Sequence, residues 1–150
     1  MPLLSPSDRK TLEDRFKREL KGEVSVAIFT TKSGLLAIPG RDCAYCPQVE
    51  ELLDEVSSLS PKIQLQKYDY FDQQDEAQAR GVQRIPAVLL ESDGQSNIKY
   101  YGVPAGYEFV TLVEGIISLS KKVSPFTLMT RKLLRKIDTD VHIQVFVTPT

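Results

Sequence analysis

The spacing of hydrophobic positions changes several times along the chain, and each change predicts a new element. Leu12, Phe16 and Leu20 recur every four residues, which predicts a first helix capped by Ser7 or Asp8. The later changes predict, in chain order, a strand at 24–29, a helix at 47–56, a strand at 63–68, a short helix at 75–80, strands at 87–90 and 98–101 around a turn at 92–95, and a helix at 109–120. This order indicates an α/β fold, with a mixed central sheet flanked by helices.

The end of the chain repeats the pattern of its beginning. The helix-then-strand pattern of residues 12–29 returns over residues 129–146, 117 positions later. This repeat predicts an internally duplicated protein, with one unit at 1–122 and the helix and first strand of a truncated second unit at 123–150. A C-terminal helix and edge strand of a single domain would give the same pattern, and periodicity does not choose between the two.

Composition is that of an ordinary globular protein. The chain has 150 residues, of which 41% are hydrophobic and 26% charged, so it is able to form a packed core. A net charge of -1 provides no basic field for a nucleic acid, so we expect no nucleic-acid partner. No cationic segment leads into a long apolar run at the amino terminus, and no stretch approaches membrane-spanning length. We therefore expect a cytoplasmic protein with no membrane partner.

Candidate chemistry lies in the only two cysteines, Cys43 and Cys46. Two thiols separated by two residues at a helix start form and break a small disulfide ring, which predicts a dithiol/disulfide redox centre. A purely structural disulfide remains an alternative, although so small a loop gives little entropic stabilisation. A zinc site needs about four ligands, and the chain offers the two cysteines and a distant His142. We expect no metal and no cofactor.

Four stretches of the chain carry a family resemblance. The Cys-Ala-Tyr-Cys of 43–46 and the Arg-Ile-Pro-Ala of 84–87 resemble the thioredoxin/glutaredoxin superfamily. The run at 101–109 and the end at 145–150 look more narrowly like the amino-terminal unit of a protein disulfide oxidoreductase, the two-unit glutaredoxin-like proteins of thermophiles. The resemblance implies a thioredoxin fold with an N-terminal helix and a C-terminal helix-strand extension.

Two departures from that family stand out. Residues 33–40 look like extra residues in a loop that is usually short, and their effect on the thiols is open. The first strand, 24–29, lacks the acidic residue that thioredoxins place there, so no carboxylate is assigned to the second thiol.

The catalytic roles follow from helix electrostatics. Cys43, at or just before the helix start, faces free N–H groups and the positive dipole end, so its pKa should lie below the free value of about 8.5. Cys43 is thus the expected nucleophile and Cys46, facing inward, the resolving thiol. Tyr45, between them, is expected to tune the site and contact substrate.

Ile85 and Pro86 are the second predicted element of the site. A proline here is otherwise explained as a strand start, but the superfamily holds this proline cis beside the C-x-x-C. The resemblance implies that Ile85 offers its backbone to an extended substrate and that Pro86 flanks the sulfurs.

The predicted function is therefore thiol-disulfide exchange with protein substrates, with a reductase as second partner. A glutathione-dependent glutaredoxin is less favoured, because residues 101–104 replace the usual Gly-Gly and acidic residue. A non-catalytic thioredoxin-like adaptor is the alternative from another class. Self-association is expected through the apolar C-terminal strand, in the form of a dimer.

Overall fold

The computed structural model describes residues 3–32, 39–92, 95–122, 124 and 126–146. Its elements follow the predicted order. They are α1 (Pro6–Glu19), β1 (Val24–Thr30), α2 (Cys46–Ser58), β2 (Ile63–Asp69), α3 (Gln74–Ala79), β3 (Ala87–Ser92), β4 (Gln95–Tyr101), α4 (Tyr107–Lys121) and α5 (Leu128–Leu134). Residues 93–94, in the predicted turn, and 33–38, in the predicted extra loop, lie outside the described residues.

The sheet is mixed, as predicted. Its strand order is β2-β1-β3-β4, with β1 parallel to β2 and antiparallel to β3, while β3 and β4 form an antiparallel hairpin. The central strand β1 is buried on both faces: Val26 and Ile28 pack against the helices α1, α2 and α4, and Ala27 and Phe29 pack against α3. A strand buried on both faces needs a near-continuous apolar run, which explains the composition of β1.

The first helix starts earlier than predicted. Ser5, not Ser7 or Asp8, is the N-cap, because its Oγ accepts a hydrogen bond from the Asp8 N–H at 3.1 Å. Pro6 then occupies the first helical position, where its missing N–H costs no hydrogen bond. The helix places Phe16 in the core with 1% of its surface exposed.

Strand pairing brings the predicted site elements to one end of the sheet. Phe29, near the end of β1, pairs with Ala87, the first residue of β3. The residue before β3, Pro86, therefore lies at the carboxyl end of β1, from which the chain continues toward α2. The Gly102 N–H, just after β4, donates to the Pro86 carbonyl at 3.0 Å and adds a third loop to this end.

The C-terminal strand predicted at 141–147 is not formed in the described residues. α5 is present, capped by Thr127, whose Oγ1 accepts from the Thr130 N–H at 3.2 Å. Residues 141–146 after it are exposed and form no strand, with Ile143 and Phe146 exposed by 79% and 89%. Residue 147 lies outside the described part. The prediction was wrong here because a strand needs a neighbouring strand for its backbone hydrogen bonds, and no described strand pairs with this segment.

Candidate active site

Cys43 and Cys46 form a disulfide, with their Cα atoms 5.4 Å apart. α2 begins at Cys46, so Cys43 lies in the turn just before the helix, where its carbonyl accepts the Cys46 N–H at 3.4 Å. Pro47 follows in the first helical turn, where a proline fits without loss of a hydrogen bond. The local sequence thus sets both the helix start and the spacing of the thiols.

The two sulfur-bearing residues differ in access to solvent. Cys43 is partly exposed, whereas Cys46 retains only 1% of its surface. Tyr45 between them is 61% exposed. Cys43 is therefore the more accessible residue of the pair.

The amino end of α2 favours a negative charge near Cys43. Its N-cap residue, Tyr45, makes no side-chain capping hydrogen bond, and the first turn carries no acidic residue. The positive end of the helix dipole is therefore not opposed by a first-turn carboxylate.

The Ile85-Pro86 peptide bond is cis, as the resemblance implied. Pro86 is buried and Ile85 is partly exposed. Both lie at the carboxyl end of β1, so strand pairing brings them to the same end of the sheet as the loop that carries the cysteines. Beside them, the Arg84 guanidinium stacks 4.6 Å from the ring centroid of Tyr101.

Sequence reasoning missed Glu50. The first strand has no carboxylate, but the hydroxyl of Thr30 at the end of β1 donates to Glu50 Oε1 on α2. Glu50 follows Cys46 by four residues, and residues at that spacing are neighbours on one helix face. Thr30 is buried and Glu50 is half-buried, and both line a cleft beside the end of β2. The four-residue spacing between Cys46 and Glu50 was the signal in the sequence that could have identified Glu50.

Arg41 is the second residue that sequence reasoning undervalued. Its Nη1 lies 3.3 Å from Asp72 Oδ1, and its Cζ lies 5.0 Å from the ring centroid of Phe71. A charged residue that flanks a cysteine in the sequence is most often only solvated. Arg41 instead connects the segment before Cys43 to the turn that follows β2.

The described ranges contain neither a metal-binding cluster nor a membrane-spanning helix. No three of their His, Cys, Asp and Glu side chains group in a way suited to a metal ion, and His142 is exposed. Within the same part of the chain, every helix is too short or too polar to cross a bilayer.

Comparison with known proteins places this geometry among redox proteins. A protein disulfide oxidoreductase from Aeropyrum pernix K1 is 25% identical and superposes with a TM-score of 0.73, over 89% of this chain and 55% of that one. The N-terminal domain of the alkylhydroperoxide reductase AhpF from Enterococcus faecalis is 23% identical, with a TM-score of 0.71, over 86% and 58% of the two chains. These likenesses confirm the thioredoxin fold.

Curated sequences give a similar result. The F subunit of alkyl hydroperoxide reductase from Staphylococcus aureus strain Mu50 is 22% identical over 104 residues, which is 69% of this chain. The aligned part is 18% of that protein's length, so the chain spans a small part of the curated relatives it matches. The sequence profile of the thioredoxin domain matches residues 36–114, more than half of the chain and including both cysteines. The chain therefore belongs to the thioredoxin domain family and carries a Cys43–Cys46 C-x-x-C on a disulfide oxidoreductase fold.

Proposed function

We propose that this protein is a thiol-disulfide oxidoreductase that exchanges disulfides with protein substrates through Cys43 and Cys46. The observation that carries the proposal is the asymmetry of the pair. Cys43 is partly exposed just before a helix whose first turn carries no acidic residue, and Cys46 is 1% exposed. One sulfur is thus suited to attack a substrate and the other to release it.

Reduction of a substrate disulfide proceeds in two exchanges. The Cys43 thiolate attacks one substrate sulfur, a mixed disulfide forms, and the other substrate sulfur leaves as a thiolate that takes up a proton. The Cys46 thiol then loses its proton and attacks the Cys43 sulfur, which releases the first substrate sulfur as a second thiolate. The substrate gains two electrons and the protein becomes the Cys43–Cys46 disulfide. A reductase partner returns those two electrons.

Glu50 is the group we assign to the second exchange. A buried thiol becomes a nucleophile only after it loses its proton, and a nearby carboxylate is a suitable acceptor. Glu50 lies one helical turn after Cys46, and the Thr30 hydroxyl holds one of its oxygens. This carboxylate on α2 takes the place of one on β1.

Substrate contact is assigned to Tyr45, Ile85 and Pro86. Tyr45 offers an exposed aromatic ring beside the reactive sulfur. Ile85 precedes β3 at the same end of the sheet, where its backbone is suited to pair with an extended peptide. To Pro86, the next residue, we assign the role of flanking the sulfurs. An extended protein segment fits this arrangement better than a compact small molecule.

The test is an insulin-reduction turbidity assay with dithiothreitol as the electron source. We expect the wild-type chain to accelerate precipitation and Cys43→Ser to abolish the acceleration. Cys46→Ser should accumulate a mixed disulfide with substrate, because its first exchange remains intact. Ala44→Ser, which adds a hydroxyl between the cysteines without removing a thiol, is the matched control and should remain active.

Two outcomes would reject the enzyme and favour an adaptor: no acceleration over dithiothreitol alone, or an undiminished rate in Cys43→Ser. Replacing dithiothreitol with glutathione and its reductase separates the two enzyme classes. A rate that depends strictly on glutathione would favour a glutaredoxin over an oxidoreductase that acts directly on proteins.

A further inference from the structure

We propose that Arg41 is a positioning residue for the redox pair, and that it acts by fixing the segment that leads to Cys43. Its guanidinium makes two contacts with one turn. Nη1 pairs with Asp72 Oδ1 at 3.3 Å, and Cζ lies over the Phe71 ring at 5.0 Å. Arg41 precedes Cys43 by two residues, so these contacts hold the chain immediately before the reactive sulfur.

The same turn also holds the chain at the end of β1. The Lys32 N–H donates to Asp69 Oδ2 at 3.1 Å, and Asp69 Oδ1 accepts the N–H groups of Phe71 and Asp72 at 3.0 Å. We call residues 69–72 the anchor turn. Lys32 and Arg41 flank residues 33–40 in the sequence, so the anchor turn fastens the chain on both sides of the extra loop residues.

The charges within the anchor turn support each other. Burial opposes the ionisation of Asp69, but the backbone N–H donors of Asp72, Lys32 and Phe71 outweigh it, and the positive charge of Arg41 adds to their effect. The pKa of Asp69 is therefore lowered, and its carboxylate stays charged at neutral pH. The Asp69 carboxylate therefore remains a hydrogen-bond acceptor within the anchor turn, and its negative charge continues to attract Arg41.

This inference rests on the dithiol/disulfide cycle of the proposed function, and not on its protein substrates, because positioning matters when the pair is reduced. In the disulfide form a covalent bond holds Cys43 near Cys46. In the dithiol form that bond is absent, and the contacts of Arg41 restrict how far Cys43 moves away. A restricted thiol has a higher effective concentration toward its partner, which favours ring closure.

Loss of Arg41 should therefore weaken the disulfide relative to the dithiol. The side chains of Arg41 and Asp72 are 42% and 69% exposed, so their ion pair alone has a small effect. Together with the ring contact, we expect about a three- to tenfold lower equilibrium constant for disulfide formation. By the two-electron relation this is a reduction potential less negative by about 15–30 mV.

The experiment measures the equilibrium between the dithiol and the disulfide in glutathione redox buffers, for the full chain and its variants. Arg41→Gln should give the full shift, and Phe71→Leu and Asp72→Asn should each give part of it. Arg41→Lys keeps the charge and should recover part of the effect. Arg18→Gln is the matched control, because Arg18 is a 73% exposed arginine on α1 that contacts Glu19.

An Arg41→Gln equilibrium constant equal to that of the wild type would overturn the proposal. So would an equal shift in Arg18→Gln, or a lower melting temperature in Arg41→Gln with no change in the equilibrium. The measurement reads a thiol equilibrium without any substrate protein. A wild-type chain that fails the insulin assay but shows the Arg41-dependent shift would reject the proposed function while leaving this inference in place.

Discussion

Arg80 Nε donates a hydrogen bond to Glu91 Oε1 at 2.7 Å, which joins the end of α3 to β3 across one face of the sheet. The Glu91 side chain is only 5% exposed. The same guanidinium lies 4.8 Å from the ring centroid of Tyr68, so it covers β2 as well. A nearly buried carboxylate is tolerated here because a charged, hydrogen-bonded partner accompanies it.

Replacing only one partner of this ion pair should lower the free energy of unfolding. Arg80→Met leaves the Glu91 carboxylate buried without its partner, and we expect a loss of about 2–4 kcal/mol in the free energy of unfolding. The double variant Arg80→Met with Glu91→Leu should recover at least half of that loss, since no unpaired charge remains. Urea unfolding of the two single variants and the double variant checks this. Additive losses would show that the ion pair is not the cause.

Asp69 gives a prediction about pH. Its pKa is lowered in the folded state, because hydrogen-bond donors outweigh burial. A lowered carboxyl pKa adds stability above the unfolded value of about 3.9, and this stability is lost as pH falls through the folded pKa. Asp69→Asn should cost about 1–2 kcal/mol at pH 7, and the difference from wild type should shrink below about pH 4. Urea unfolding at several pH values measures it.

The control for Asp69 is Asp14→Asn. Asp14 is exposed on α1, so its variant should follow the wild-type curve across the same pH range. If the free energies of unfolding of Asp69→Asn and wild type differ by a constant amount down to about pH 2, the carboxylate charge does not contribute to stability.

Glu50→Gln should slow the second exchange while leaving the first unchanged. Without a carboxylate beside the start of α2, the Cys46 thiol loses its proton more slowly, and release of substrate should fall by about ten- to hundredfold. Rapid mixing with a chromogenic disulfide followed by acid quench would show the mixed disulfide accumulating. Asp54→Asn, an exposed acid on the same helix that pairs with Lys67, is the control. Equal release rates in Glu50→Gln and wild type would remove Glu50 from the mechanism.

Tyr45→Ala should affect substrate binding but not folding. The side chain is 61% exposed, so we expect a change of less than about 0.5 kcal/mol in the free energy of unfolding. The KM for a protein disulfide should rise about three- to tenfold with kcat nearly constant, because an exposed aromatic contact is lost from the bound state. Leu128→Ala removes a 70% exposed apolar side chain from α5 and should leave KM unchanged. An unchanged KM in Tyr45→Ala would rule out the contact.

The last prediction concerns residues 123–150, which we propose are the start of a second unit. Residues 141–146 are exposed and form no strand. Deleting residues 138–150 should therefore move the melting temperature by less than about 2–4 °C, the shift that roughly 1 kcal/mol produces in a chain of this size. Redox activity should also be retained. A larger loss of stability would mean that this segment belongs to the first domain.

The order of elements and the redox pair were predictable from the sequence, because both are local signals. Leu12 and Phe16 are four residues apart, which is the spacing of neighbouring positions on one face of a helix. The residues of β1 form a continuous apolar run, which is typical of a buried strand. The spacing of Cys43 and Cys46 at a helix start likewise needs only neighbouring residues. The cap was predicted at Ser7 or Asp8, but Ser5 occupies it, with Pro6 at the first helical position.

Only the tertiary structure decided which side chains make contact around the site. Arg41 meets Phe71 and Asp72 because β1 and β2 pair in parallel, which brings the turn after β2 beside the segment that leads to Cys43. Thr30 and Glu50 meet because α2 packs back against β1. The predicted strand at 141–147 depended on a partner strand, which none of the described residues supplies. The periodicity of a sequence indicates which face of a helix or strand is apolar, but the packing of helices and strands against each other determines which residues come into contact.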